Sequence, residues 1–266
     1  MRALIAQLDP QPGSPAGNTE TVCDALAAHS VDLAVFPELF LCGYALNAAN
    51  ELAIPADDEL MRQIRMAAHD TRTAVIFGFA ERCAGGALAN AAACIDRDGT
   101  LVGVYRKTHL FADERQAFTP GDALLIASLA GIRVGPLICF DMEFPEPARS
   151  LCREGTELLV TLAANMAPYG PDHGLAARAR ALDNRRAHLY VNRVGTEAGL
   201  CFAGGSRMID AAGEVTASVG DSEGFLEVEV PDRGANDERV DYLHHLREEL
   251  PVRGAVLHAR EGGLAR

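Results

Sequence analysis

The feature that most constrains this 266-residue chain is an alternation of two patterns. Short, nearly unbroken apolar runs are followed by stretches whose apolar residues recur every three or four positions. Strand-like runs cover residues 3–8, 32–36, 73–80, 87–96, 101–106, 132–140, 157–163 and 189–194, with shorter ones near 202–210, 214–219 and 224–230. Helical patterns cover 19–29, 57–69, 145–154 and 172–188, with Asp57 and Asp172 placed as N-terminal caps. Asp98-Gly99 and Ala212-Gly213 read as turns between strands. The run Ile132-Arg133-Val134-Gly135-Pro136-Leu137-Ile138 has few polar interruptions, as a strand covered on both faces requires. This alternation, closed by a strand-rich end, predicts an α/β layered domain with sheets inside and helices outside.

No repeat and no composition break occurs before about residue 231, so residues 1–230 read as one domain. Residues 231–266 are charged, end in a Gly-rich stretch, and read as a C-terminal arm. Within it, Tyr242-Leu243-His244-His245-Leu246 is placed either across a partner subunit or as a surface helix. A formal net charge of −13 repels phosphate backbones and anionic membranes, which argues against a nucleic-acid partner. No run of about 18 apolar residues could span a bilayer, and the first apolar stretch breaks too soon for a secretory signal. Seven cysteines without a CxxC pair argue against a disulfide framework and for a reducing, cytoplasmic setting. The eight histidines show no metal-ligand spacing.

Four residues stand where chemistry is plausible. Cys139 closes the 132–140 run just before a helix expected to open near Pro145. A strand-to-helix turn exposes its central side chain, and a helix N-terminus lowers a thiol pKa and supplies oxyanion donors. The competing reading is an inert buried cysteine. Glu38, in Val35-Phe36-Pro37-Glu38-Leu39-Phe40, is a carboxylate among apolar neighbours, suited to proton transfer if buried and to capping if not. Lys107 leaves the 101–106 strand as either a fixed site cation or a solvated surface group. Glu114, seven residues on, is placed to hold that ammonium, or else to form a surface ion pair of little worth.

Taken together, the ordered Glu, Lys and Cys resemble the nitrilase (carbon–nitrogen hydrolase) superfamily. The resemblance rests on Phe36-Pro37-Glu38-Leu39-Phe40-x-x-Gly43-Tyr44, Tyr105-Arg106-Lys107-Thr108-His109-Leu110-Phe111 and Gly135-x-Leu137-Ile138-Cys139-Phe140-Asp141-x-Glu143-Phe144-Pro145-Glu146. It extends through Phe118-Thr119-Pro120-Gly121-Asp122, Asn192-Arg193-Val194-Gly195 and Phe202-Ala203-Gly204-Gly205-Ser206, covering residues 1 to about 230. It implies a four-layer α–β–β–α sandwich that stacks into dimers. It also implies Glu38 as general base, Lys107 as oxyanion partner, Cys139 as nucleophile and Glu114 as the glutamate that positions the lysine. The Phe140 N–H becomes a second oxyanion donor, and Tyr44, Asn165 and Tyr169 pocket residues. No metal or organic cofactor is implied.

The triplet Cys139-Phe140-Asp141 is closer to amidase branches than to nitrilases, which usually carry Cys-Trp-Glu. Glu143, with Asn165-Met166-x-Pro168-Tyr169-Gly170-Pro171, resembles bacterial enzymes that hydrolyse small primary amides, some stereoselectively. Met166-Ala167 stands where N-carbamoyl amidohydrolases usually carry arginines, so a neutral or cationic amide fits better than an anionic one. The alternatives are a nitrilase, a carbamoylase, or a non-catalytic scaffold on the same fold.

Overall fold

Residues 1–231 and 240–247 are described in a computed structural model of the chain. In chain order the elements are β1 (Arg2–Gln7), α1 (Pro15–Ala28), β2 (Leu33–Val35), α2 (Ala49–Leu52), α3 (Glu59–Thr71), β3 (Ala74–Arg82), β4 (Leu88–Ile95) and β5 (Leu101–Arg106). There follow α4 (Glu114–Ala117), β6 (Ala127–Leu129), β7 (Ile132–Ile138), α5 (Pro145–Arg153), β8 (Leu158–Ala163), α6 (Gly170–Asn184) and β9 (Ala187–Asn192). The last are β10 (Thr196–Glu197), β11 (Leu200–Cys201), β12 (Arg207–Ile209), β13 (Val215–Ser218) and β14 (Gly224–Glu229).

Two six-stranded mixed sheets result, ordered β14-β1-β2-β3-β4-β5 and β13-β12-β9-β8-β7-β6. The central pairs β1–β2–β3 and β7–β8–β9 are parallel, and the outer pairs antiparallel. The two-residue period of a strand sorts the first sheet between two cores. Ala3, Ile5, Leu33, Val35, Ala74 and Ile76 share a core with Leu137, Leu159 and Leu189 of the second sheet and with Leu151 and Ala181 of α5 and α6. Their alternates Leu4, Ala6, Ala34, Val75 and Phe77 pack with Val22 and Leu26 of α1 and Met61 and Ile64 of α3. Because β5 is two antiparallel steps from β3, it ends on the same edge as β2.

Element boundaries depart from the sequence reading where local chemistry intervenes. Asp58, not Asp57, caps α3, its Oδ1 accepting from the Leu60 N–H at 2.9 Å. Asp172 lies inside the first turn of α6, and that helix stops at Asn184 because Arg185 turns left-handed (φ 50°). Residues 187–188, expected to be helical, are instead strand β9. The strand expected over 132–140 ends at Ile138, and β6, only three residues long, carries no readable period. The run expected over 202–210 breaks at Gly204 and Gly205, both at positive φ.

Most of the C-terminal arm, residues 232–239 and 248–266, lies outside the described residues. Residues 242–245 form turns rather than a helix. Arg185 donates to the Val240 carbonyl at 3.1 Å and sits 4.5 Å over the Tyr242 ring, while half-buried Leu243 packs on the central core.

Candidate active site

Glu38 reaches the end of β2 through a sharp departure from the sheet. The Phe36 N–H still bonds the Ile76 carbonyl at 2.8 Å, then Pro37 ends the ladder and Leu39 turns left-handed (φ 50°). This turn lies flat on Gly78, whose N–H donates to the Pro37 carbonyl at 3.0 Å. A Cβ on Gly78 would stand 2.3 Å from the Leu39 nitrogen, so only glycine lets the turn settle there. The carboxylate is 1% exposed. Its Oε1 accepts from Lys107 Nζ at 2.6 Å and Asn90 Nδ2 at 2.7 Å, and its Oε2 from the Ala164 N–H at 2.8 Å.

Lys107 follows β5 and is gripped through its backbone. Its N–H donates to the Asn90 carbonyl and its carbonyl accepts from the Gly121 N–H, both at 2.8 Å. The buried ammonium is bracketed by Glu38 at 2.6 Å and Glu114 at 2.8 Å. Burial alone would pull its pKa down, but the attraction of Glu38 and Glu114 outweighs it and holds the value above the ordinary lysine range. Glu114 opens α4, fully buried, and also accepts from the Phe111 N–H at 3.0 Å and the Tyr44 hydroxyl at 2.7 Å. Burial raises its pKa, with Lys107 opposing.

Cys139 stands at the head of a one-turn 3₁₀ segment, Cys139–Glu143, with φ +48°, a left-handed conformation uncommon outside glycine. It is 9% exposed. Burial pushes its thiol pKa well above the ordinary value, Glu38 adds to the rise, and Lys107 and the Ala164 N–H oppose it. The helix α5 opens at Pro145, as expected, but the expected lowering of the thiol pKa is corrected: burial raises it instead. An arrangement of this kind needs a base, and Glu38 is among the charges acting on the sulfur.

Asp141 bolts the Cys139 turn to the Lys107 segment. Fully buried, its Oδ1 accepts from the backbone N–H groups of Thr108 at 3.2 Å and His109 at 2.8 Å and from the Thr108 hydroxyl at 2.8 Å. Its Oδ2 takes the Tyr105 hydroxyl at 2.8 Å and the Ile138 N–H at 3.2 Å. Neither Asp141 nor Asn90 was singled out as a site residue from sequence. Asn90 had a signal, since it is the lone polar residue in the apolar run Ala89–Cys94.

Of the expected pocket residues, Tyr44 is buried against Phe202 and hydrogen-bonded to Glu114. Phe140 and Tyr169 both meet Phe111 edge-on, with ring centroids 5.4 and 6.1 Å apart. Asn165 follows Ala164, 4% exposed, and its Nδ2 is buried without a hydrogen-bond partner. Among the described residues no cluster of three His, Cys, Asp or Glu could hold a metal, and no helix is long and apolar enough to cross a membrane.

A family model described as carbon-nitrogen hydrolase matches residues 3–235. An (R)-stereoselective amidase of a Pseudomonas species is 36% identical over 253 residues, covering 93% of this chain and 92% of its own. A nitrilase of Pyrococcus abyssi is 33% identical over 232 residues, with coverages of 84% and 86%. Among solved structures, an amidase from a Nesterenkonia species superposes with a TM-score of 0.83 at 29% identity, over 93% of both chains. A mutant of that amidase carries an acetamide moiety of fluoroacetamide covalently added at the active-site cysteine, with TM-score 0.84 and coverages of 93% and 94% at 29% identity.

Proposed function

The chain belongs to the carbon–nitrogen hydrolase family, and from that premise we propose that it is a cysteine-dependent amidase that converts a small carboxamide to a carboxylic acid and ammonia. The observation that carries this reading is the buried Glu38–Lys107–Glu114 cluster acting on a protonated Cys139. Glu38 takes the Cys139 proton as the sulfur attacks the amide carbon. The oxyanion is met by Lys107 and by the Phe140 N–H. Glu38 passes the proton to nitrogen, the C–N bond breaks, ammonia leaves and a thioester remains. Water then loses a proton to Glu38 and attacks the thioester. The C–S bond breaks, the proton returns to sulfur, and the acid departs. Glu114 holds Lys107 and is itself held by Tyr44. Phe140, Asn165 and Tyr169 form the acyl pocket.

Support for amides comes from Cys139-Phe140-Asp141 and from the amidase relatives. The Pyrococcus nitrilase keeps nitriles as the second reading, and carbamoyl substrates as the third. Ammonia release should be assayed across amide, nitrile and carbamoyl forms of the same small compounds, with Cys139→Ala as control. Amide turnover that survives EDTA and vanishes in the variant supports the reading; turnover in Cys139→Ala sinks it.

The shared core between the sheets, with α1 and α3 on one side and α5 and α6 on the other, supports a four-layer α–β–β–α sandwich. Leu175 and Leu182, seven residues apart on α6, are 71% and 37% exposed, which supports stacking of two copies through that helix and a homodimer. Seven cysteines without a CxxC pair support a reducing, cytoplasmic setting.

A further inference from the structure

Two carboxylates outside the catalytic cluster are pressed against glycines. A Cβ on Gly43 would stand 2.7 Å from Glu197 Oε1 and 3.0 Å from its Oε2. A Cβ on Gly195 would stand 2.1 Å from the carboxyl carbon of Asp9. Between the two carboxylates lies Arg193, fully buried. Its Nη1 donates to Glu197 Oε2 at 2.5 Å and its Nη2 to Asp9 Oδ1 at 2.9 Å. The guanidinium carbon lies 4.0 Å from the centre of the Phe202 ring. These parts come from the Gly43-Tyr44 and Asn192-Arg193-Val194-Gly195 runs, which the reaction chemistry leaves without a role.

The Arg193 clamp reaches the catalytic cluster through Tyr44. Glu197 Oε2 also accepts the Tyr44 backbone N–H at 2.9 Å, across 153 residues of chain. A guanidinium and a backbone N–H can only donate, so that oxygen is the acceptor in both bonds. Oε1, by contrast, is buried without a hydrogen-bond partner. An arginine and a carboxylate joined only for their charge commonly pair through both oxygens; here the bonds converge on the one oxygen that meets Tyr44. Phe202, against Arg193, also meets the Tyr44 ring edge-on, with centroids 5.9 Å apart. Tyr44 is therefore held at its backbone and at its ring. Its hydroxyl donates to Glu114 Oε1 at 2.7 Å, the same oxygen that takes Lys107 Nζ at 2.8 Å.

Building on the amidase reading above, we propose that Glu197, oriented by Arg193, is a positioning residue for the reaction. It seats Tyr44, whose hydroxyl holds Glu114 and, through it, aims Lys107 at the oxyanion. Shorten the Glu197 side chain and the Tyr44 backbone relaxes. The hydroxyl then slips from Glu114, and the carboxylate that steers the ammonium loses its support. Reach, not charge, is what Glu197 supplies.

Ammonia release by the full-length protein, measured below the Tm of each variant, tests this. Glu197→Asp keeps the charge but withdraws it by one methylene. Its kcat should fall about tenfold, the worth of one hydrogen bond to a charged group, with a smaller change in KM. Glu197→Gln keeps the reach and loses the charge. Its oxygen can accept both bonds while its NH₂ takes the place where none is made, so kcat should stay within about threefold of wild type. Tyr44→Phe should itself cost about tenfold, and adding Glu197→Asp should cost under about threefold more, because the hydroxyl it acts through is gone. Phe202→Leu removes the other support of Tyr44 and should show the same lack of additivity, which decides the matter if Glu197→Asp does not fold. Undiminished turnover in Glu197→Asp, equal loss in the Gln and Asp variants, or full additivity with Tyr44→Phe overturns the proposal. Alkylation of Cys139 by iodoacetamide, read by peptide mass mapping, should slow in the same pattern, since Lys107 is a charge that favours the thiolate. That arm needs no turnover, so a protein that hydrolyses no amide would defeat the amidase reading while this inference is still decided.

Discussion

Replacing Asp141 by Asn tests whether one buried carboxylate holds the nucleophile and the cation in register. Oδ1 and Oδ2 together accept from three backbone N–H groups and two hydroxyls, and Oδ1 also lies 2.9 Å from Nδ1 of His109. An amide keeps one oxygen and turns its NH₂ toward donors. In the better orientation Nδ2 faces Tyr105 and Ile138: the tyrosine can reverse and accept, but the Ile138 N–H is left facing another donor. One orphaned buried N–H costs about 1–3 kcal/mol, and the bonds that remain lose the extra strength of an ionised acceptor. A total of about 3 kcal/mol lowers Tm by roughly 6–12 °C in a domain of this size. Thermal unfolding by circular dichroism reads the shift. Ammonia release below the new Tm should fall about 10²-fold, because the Lys107 segment moves relative to Cys139. A Tm change under about 2 °C with undiminished turnover would refute the idea that Asp141 joins the two segments.

Four further outcomes follow from the geometry. Lys107→Met should lower kcat by on the order of 10²–10³ and also destabilise the fold, since it leaves Glu38 and Glu114 buried without their cation; kcat and Tm measured together check both effects. Gly78→Ala drives a Cβ into the Leu39 nitrogen and should cost about 3 kcal/mol with loss of turnover, read by urea unfolding and ammonia assay. Burial pulls the pKa of His188 down from the ordinary histidine value of 6.5 to about 4, so the folded state keeps it neutral while the unfolded state takes up a proton. Stability should therefore fall as pH drops from about 6.5 toward 4, by on the order of 3 kcal/mol, and His188→Gln should flatten that slope in urea titrations run across the range. Leu175→Glu on the exposed face of α6 should halve the mass measured by sedimentation if two copies stack there, and leave it unchanged otherwise.

Much of the first sheet was readable because its strands are bounded by unambiguous punctuation. β5 was placed at 101–106, where a turn at Gly99 precedes it and Lys107 ends it. The candidate residues Glu38, Lys107 and Cys139 were visible as polar groups at the ends of apolar runs. Their convergence was implied only by the family resemblance, because periodicity reports local faces and carries no information about which strand ends meet. The helix over 172–188 was read too long because apolar spacing continues past Asn184, while the halt is set by the left-handed Arg185. The thiol's environment was misjudged because the depth of its burial, which outweighs the pull of Lys107, is set by remote segments and leaves no mark in the local pattern. Asp141 escaped notice as a working residue since its partners lie in remote segments.

Two carboxylates and one ammonium leave the Glu38–Lys107–Glu114 cluster with a formal charge of −1 before anything binds. A neutral amide enters that field without opposition, whereas the acid formed by its hydrolysis ionises beside a cluster of formal charge −1 in a medium that screens poorly. Repulsion therefore favours departure of the product over its return. Carboxylates should be feeble inhibitors of this protein, and resynthesis of an amide from acid and ammonia should be correspondingly disfavoured at the site.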